Sequence, residues 1–300
     1  METKIQAEIL AKENSDMNVY WCGKCNKSSM CPKDTSYSNC PCGNYEIELV
    51  TNKVIQGDCL EVMKTLADKS VDMILCDLPY GTTASSWDKI IDSKSMWDEY
   101  ERIIKDNGAI VLFSSGQFTN KLINSNDKLY RYKWIWFKTK RGNFVNAKNR
   151  PMTAYEEICI FSKGVTANGC YNKMKYYPQG LKPIYKVNKD GGSRFGTMAG
   201  KRPSHQETTI QEWTNYPFDV LQFDSVGKPV HPTEKPTKLL EYLIKTYTQE
   251  GDLVLDNCAG SGTTGVACKN TNRNYFLIEK EPEYIEIIKK RLEVKQPTML

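Results

Sequence analysis

Residues 252–265 read DLVLDNCAGSGTTG. Leu253–Leu255 is a short apolar run that predicts a buried strand. It leads through Gly260-Ser261-Gly262 into a helix over 262–270. Glycines at such a junction let the backbone turn sharply and approach a ligand closely. The end of a strand and the start of a helix form the ligand crevice of an open α/β sheet. Downstream, Tyr275–Ile278 predicts a second strand, and it ends in Glu279. A carboxylate there can accept both ribose hydroxyls of a nucleoside cofactor. The G-x-G-x-x-G spacing, taken alone, also fits a dinucleotide fingerprint or a tight turn without a ligand. Only about 20 residues follow Glu279, so the strands that complete the sheet are expected upstream. That order favours a circularly permuted nucleoside-binding fold over a dehydrogenase.

The upstream half supplies those strands. Lys53–Gln56, Val71–Cys76, Gly108–Phe113, Tyr132–Phe137 and Glu157–Phe161 predict strands, the last two as an antiparallel pair and Gly108–Phe113 as a central parallel strand. Leu60–Leu66, Ser95–Ile104, Lys238–Thr246 and Pro282–Leu292 predict helices, and residues 1–20 a short one. Residues 165–225 are rich in Gly, Lys, Tyr and Pro with weak periodicity, the pattern of an irregular functional segment.

Val71–Tyr80 reads VDMILCDLPY. A buried strand there delivers an acid, a proline and an aromatic to the edge of the sheet. Asp77 can accept a hydrogen bond from an amino group, and the Leu78 carbonyl, held by the restriction that Pro79 imposes, can accept another. Tyr80 offers a flat face on which a base can stack. A plain proline turn with a core tyrosine would have the same composition.

Together these segments resemble the amino-methylating DNA methyltransferases. Asp77-Leu78-Pro79-Tyr80 is similar to their D/N/S-P-P-Y motif, 256–265 to their cofactor loop and Glu279 to their ribose-binding acid. His231-Pro232-Thr233-Glu234-Lys235-Pro236 resembles their H-P-T-x-K-P element, and Gln56-Gly57-Asp58-Cys59 the segment whose Asp contacts the cofactor's adenine. The catalytic motif precedes the cofactor loop, the permuted order of the β class, and the likeness covers about 53–163 and 226–293. Leu78 stands where the family usually has Pro, and Asn257-Cys258-Ala259 where Phe-x-Gly is commoner.

The resemblance implies an α/β, circularly permuted Rossmann-like fold in which Asp77, Leu78, Pro79 and Tyr80 are catalytic. It implies S-adenosylmethionine as cofactor, held by Asp58, His231, Lys235, Asp256, Asn257, Ala259, Gly260, Gly262, Thr263, Thr264 and Glu279, with Lys235 on the cofactor carboxylate. The chemistry agrees. An exocyclic amine is a poor nucleophile because its lone pair is delocalised into the ring. Two fixed acceptors favour the pyramidal nitrogen and stabilise the positive charge developing on it. The target atom is inaccessible inside a duplex, so the base must be flipped out. Asp at the head of the motif points, within the family, to adenine N6 rather than cytosine N4.

Charge supports a polyanionic partner. The chain carries +5 overall, yet residues 131–202 alone hold 16 Lys or Arg against three acids. A basic segment with interleaved aromatics inside an acidic body is the footprint of a nucleic acid; a solvated surface insertion is the plainer reading. By position, 165–225 resembles a target-recognition insertion. Arg141, Tyr171, Tyr176, Tyr177, Arg194 and Arg202 are candidate contacts to double-stranded DNA.

Five of the 11 cysteines fall between Cys22 and Cys42. Cys22, Cys25, Cys40 and Cys42 resemble the two knuckles of a zinc ribbon around a 14-residue gap, with Cys31 as an alternative ligand for a structural Zn2+. Reduced free thiols are the alternative. The expected organisation is a zinc-ribbon-like segment over 1–50, a catalytic half over 51–164, the insertion over 165–225 and a cofactor half over 226–300. No apolar run is long enough to span a membrane and no signal peptide is evident, so a cytoplasmic protein is expected. The sequence leaves open a homodimer and a companion restriction endonuclease. The competing readings are an N4-cytosine enzyme, an RNA base methyltransferase and, from another class, a non-enzymatic zinc-ribbon DNA-binding protein.

Overall fold

A computed structural model describes residues 51–81, 88–189, 208–227 and 234–293, and the backbone of 17–22 and 27–32. The strands are β1 Met17–Cys22, β2 Lys27–Pro32, β3 Lys53–Gln56, β4 Val71–Cys76, β5 Ile104–Ser114, β6 Tyr130–Gly142, β7 Thr153–Phe161, β8 Lys182–Lys189, β9 Thr208–Thr214, β10 Val220–Phe223, β11 Leu253–Asp256 and β12 Asn274–Glu279. An eight-stranded mixed sheet organises the fold, in the order β10-β6-β7-β5-β4-β11-β12-β3. From β5 through β4, β11 and β12 to β3 every pairing is parallel. β7 runs antiparallel between β5 and β6, and β10 closes the far edge parallel to β6.

β4 is buried at all six residues, five of them apolar and the sixth, Asp72, ion-paired with Lys105 and Lys175, as a strand in a doubly covered sheet requires. Its side chains alternate between two cores. Met73 and Leu75 join Val111, Leu239, Leu243 and Ile244 on one face, whereas Ile74 and Cys76 join Trp97, Tyr100, Ile110 and Ile103 on the other. The helices Ser93–Ile103 and Thr237–Tyr247 therefore cover opposite faces. Asp92 caps the first of these, accepting a hydrogen bond from the Ser95 amide at 2.8 Å.

Three expectations need correcting. Met17–Cys22 is a strand paired with Lys27–Pro32, not the end of a helix; its Val, Tyr and Trp favour extended backbone. Gly108–Phe113 lies within a longer strand that is parallel on one side only. The segment 165–225 is less irregular than its composition suggests, since Lys182–Lys189 pairs with Thr208–Thr214 and β10 joins the main sheet. The helix Gln117–Ser125 carries too few apolar positions to be legible in the sequence.

That segment also starts at an unexpected place. The Lys175 ammonium bonds Asp72 at 3.0 Å and Asp252 at 2.9 Å, both at the N-terminal ends of their strands. The Tyr177 amide donates to the Thr246 carbonyl at 2.7 Å, at the end of a helix that returns to the same edge. The start of the segment is thereby anchored on the edge opposite Asp77, which follows the C-terminal end of β4, whereas its last strand, β10, runs parallel to β6 back toward the Asp77 edge.

Candidate active site

The C-terminal ends of β4, β11 and β12 open into a cavity of about 740 Å³. It is lined by Asp58, Asp77, Leu78, Pro79, Tyr80, Lys235, Asp256, Asn257, Ala259, Gly260, Thr263, Thr264 and Glu279, among others. The sequence reading assigned all of these residues to one site, and the fold brings them together.

Gly260 and Gly262 both take positive φ, 51° and 76°. A Cβ on Gly262 would lie 2.9 Å from Ile288 Cγ1, so the position excludes a side chain twice over, by strain and by contact. The loop is cross-braced. The Ala259 amide donates to the Ile278 carbonyl at 2.9 Å. The Gly260 amide donates to Glu279 Oε2 at 2.7 Å. Glu279 Oε1 accepts from the Lys280 and Glu281 amides, while burial pushes this carboxyl above its usual range. Asp256 accepts from Thr264 Oγ1 at 2.6 Å and from the Cys258 amide, and burial raises its pKa to about 6. Asn257 turns inward, its Oδ1 taking a 2.6 Å bond from the Tyr100 hydroxyl. Asp58 caps the short helix Cys59–Met63 through the Leu60 amide at 3.1 Å. Gly262→Ala should therefore lower the melting temperature by roughly 5 °C or more, the effect of about 2 kcal/mol in a domain of this size. An unchanged melting curve would show that the loop relaxes freely.

The second wall carries a chain of charges. Asp77 Oδ1 accepts from the Tyr80 hydroxyl at 2.9 Å, and Oδ2 forms a close ion pair with the Lys235 ammonium. Burial and the adjacent Asp77 hold the Tyr80 phenol well above its ordinary pKa, so it remains a donor. Lys235 also meets Glu156 Oε2 at 3.5 Å, and Lys138 meets Glu156 Oε1 at 2.7 Å. Lys235 is only 8% exposed, and its ammonium lies 5.1 Å from the Phe113 ring centre. Burial acts to lower its pKa, but the Asp77 and Glu156 carboxylates outweigh this and the net shift is upward. For Glu156 burial pushes upward, but Lys235 and Lys138 prevail and hold it below the usual range. The Tyr80 ring stacks on Phe118, centroids 4.6 Å apart.

The site differs from the sequence reading in several places. The Lys235 ammonium, read as a cofactor contact, is directed at Asp77 and Glu156. Glu156, Lys138 and Phe118 were not anticipated. Tyr176 and Tyr177, which follow Lys175, lie on the edge away from the cavity, with the fully exposed Tyr171 in the same segment. Arg141 does sit at the catalytic end, near the end of β6. His231, Arg194, Arg202, Cys25, Cys40 and Cys42 lie outside the described residues, as do the side chains of Cys22 and Cys31. The zinc reading falls on those cysteines; among the described residues no cluster of His, Cys, Asp and Glu could hold a metal ion. Among the described residues no helix is long and apolar enough to cross a membrane.

Comparison with known proteins bears on the same segments. Residues 71–290 match the N6/N4 DNA methylase family. The type II methyltransferase M2.DpnII of Streptococcus pneumoniae is 50% identical over 258 residues, covering 82% of this chain and 91% of that protein. The DNA adenine methyltransferase YhdJ of Escherichia coli (strain K12) is 28% identical over 260 residues, covering 80% and 82%. Among solved structures, the M1.HpyAVI–SAM complex superposes with a TM-score of 0.53 at 25% identity, over 80% of this chain and 99% of that one. The cytosine-N4-specific PvuII DNA methyltransferase shares the fold, with a TM-score of 0.58 at 16% identity over 83% and 88%. The extent of the family match, together with half-identity to M2.DpnII across most of both chains, shows that this chain belongs to the N6/N4 DNA methylase family.

Proposed function

We propose that the chain methylates N6 of an adenine flipped out of double-stranded DNA, using S-adenosylmethionine. The observation that carries this reading is the shared cavity, in which the Asp77 loop on one strand end faces the Gly260–Gly262 loop on the next. Its volume lies in the range of small-molecule sites, and the Glu279 and Asp58 carboxylates on its wall suit the hydroxyls and amine of a nucleoside. When bound, S-adenosylmethionine supplies the methyl sulfonium. Thr263 and Thr264 at the start of the following helix complete that half of the site. The order of loops along the chain fits the permuted β-class arrangement.

The remaining steps belong to this chain's own residues. Asp77 and the Leu78 carbonyl accept the two N–H groups of the target amine and draw its lone pair out of the ring plane. They hold the nitrogen in line with the methyl group, and such positioning supplies much of the acceleration. As the methyl carbon passes from sulfur to nitrogen, the bonding pair stays with the sulfur as a neutral thioether, and the Asp77 carboxylate would stabilise the positive charge on nitrogen and lie at hand for the proton that leaves it. Tyr80 stacks on the base.

Adenine is favoured over cytosine by Asp at position 77, and the names of M2.DpnII's fellow relative YhdJ and of the family are consistent with it. Incubating duplex DNA with the protein and cofactor, followed by nucleoside digestion and mass spectrometry, should yield N6-methyladenine. A product containing N4-methylcytosine alone would overturn the adenine assignment while leaving the amino-methyltransferase reading intact.

A further inference from the structure

Beyond the catalytic cavity, the turn between β6 and β7 combines two features that rarely meet on a protein surface. Phe144 and Val145 stand at its tip, 77% and 91% exposed. Residues 138–155 contain five Lys or Arg and no acid; Lys140, Arg141, Lys148 and Arg150 are exposed around the two apolar side chains. The turn is also well built. Asn143 takes the left-handed conformation, φ 65°. Residues Phe144–Asn146 form a single 3-10 turn. Asn146 Nδ2 donates to Asn143 Oδ1 at 2.7 Å, and the Ala147 and Arg150 amides close back on Phe144 and Asn146.

Position gives the feature its meaning. β6 leaves the sheet at the catalytic end, and Lys138 on it lines the cavity. Phe144 follows six residues later, within about 20 Å of chain. The cations suit phosphates, which fix a protein on a duplex without reading sequence. Paired apolar side chains in water gain nothing there, but they suit the gap between base pairs, where apolar wedges unstack and kink DNA. A base moved into the Asp77 cavity leaves such a gap behind.

We infer that Phe144 and Val145 form a wedge that enters the base stack as the target leaves it, with the surrounding cations seated on the flanking phosphates. The inference rests on the DNA reading above. It assigns duplex opening to the β6–β7 turn rather than to the residues around Lys175–Tyr177, which are anchored on the opposite edge.

The test compares two substrates. One is a duplex containing the target site. The other is the same duplex with an abasic position opposite the target, so that no base pair must be broken and the space opposite is already open. In the full chain, Phe144→Ala combined with Val145→Ala leaves every cation in place. Methylation of the intact duplex should fall about 10-fold or more, while the opened duplex is methylated within about 2-fold of the wild-type rate. Binding of S-adenosylhomocysteine and the melting temperature should not change. Phe144→Trp, which keeps a large apolar side chain, should retain most of the wild-type rate on the intact duplex. Equal rates for variant and wild type on the intact duplex would overturn the wedge, as would an equal loss on both substrates. Capture of anionic lipid vesicles through the same two residues, with duplex methylation unaffected, would assign the tip to a membrane surface instead. A wild-type protein inactive on both duplexes would remove the functional reading and the wedge with it.

Discussion

Asp77→Ala is expected to lower kcat for DNA methylation by roughly 10²–10³-fold, the scale seen when one preorganised polar group is taken from a charge-developing site. Affinity for S-adenosylhomocysteine should stay within a few-fold. The separation follows from geometry. The Asp77 carboxylate has about four lone-pair positions. The Tyr80 hydroxyl takes one on Oδ1 and Lys235 one on Oδ2, leaving acceptor capacity on the cavity side. Alanine removes that capacity, but none of the braces on the Gly260 loop, which close through Glu279 and Ile278. Removing one member of a buried ion pair also threatens the fold, by about 3–5 kcal/mol when no other partner remains. Here Glu156 stays beside Lys235, so the loss should fall below that figure. Asp77→Asn serves as the control because it keeps the shape and one acceptor oxygen while losing the charge and the second acceptor. Radiolabelled methyl transfer and calorimetry measure the two quantities. A folded Asp77→Ala protein with wild-type turnover would end the assigned role of this carboxylate.

Parts of this site are legible in the sequence because they rest on local chemistry. β4 could be bounded correctly at Val71–Cys76 since a strand buried on both faces needs a largely apolar run, broken here only by the ion-paired Asp72. Gly260 and Gly262 mark themselves by a backbone that other residues enter at a cost. Glu279 ends a strand next to that loop in the sheet, so its side chain has one crevice to enter. Other residues depend on pairings between distant segments. Glu156 stands opposite Trp136 in the β6–β7 register, and nothing in TAYEEICIF tells which of its two glutamates faces the cavity. Lys235 meets a residue 158 positions away. The place of Tyr176 and Tyr177 is hidden for a related reason. A basic, aromatic segment states what it could attract, whereas its place on the fold is set by the bonds from Lys175 to Asp72 and Asp252.

Lys235 and Glu156 should consequently separate into effects on turnover rather than on cofactor affinity. The two carboxylates Asp77 and Glu156 face the two ammonium groups Lys235 and Lys138, so the wall is balanced in charge. Positive charge develops on the amine nitrogen during transfer, close to this wall. Glu156→Gln is nearly isosteric but leaves two cations against one carboxylate. At an effective dielectric of about 20, unit charges interact by ~4 kcal/mol at 4 Å and by ~2 kcal/mol at twice that distance. The longer separation suits Glu156, which stands behind Lys235, and predicts a fall in kcat of about 30-fold. Lys235→Met removes a cation from the same wall, which by charge alone favours the transfer, but Asp77 loses the contact that fixes its Oδ2; misplacement by about 1 Å costs about 100-fold, so kcat should still fall, by roughly 10-fold or more. In both variants the dissociation constant for S-adenosylhomocysteine should stay within about 3-fold of wild type. A contact between Lys235 and the cofactor carboxylate, as the sequence suggests, makes the opposite demand. The dissociation constant would then rise by 10-fold or more in Lys235→Met, with kcat preserved at saturating cofactor, since removing an interaction made equally in ground and transition states leaves turnover untouched. Calorimetry and saturating-cofactor kinetics on the same preparations distinguish the two roles of Lys235.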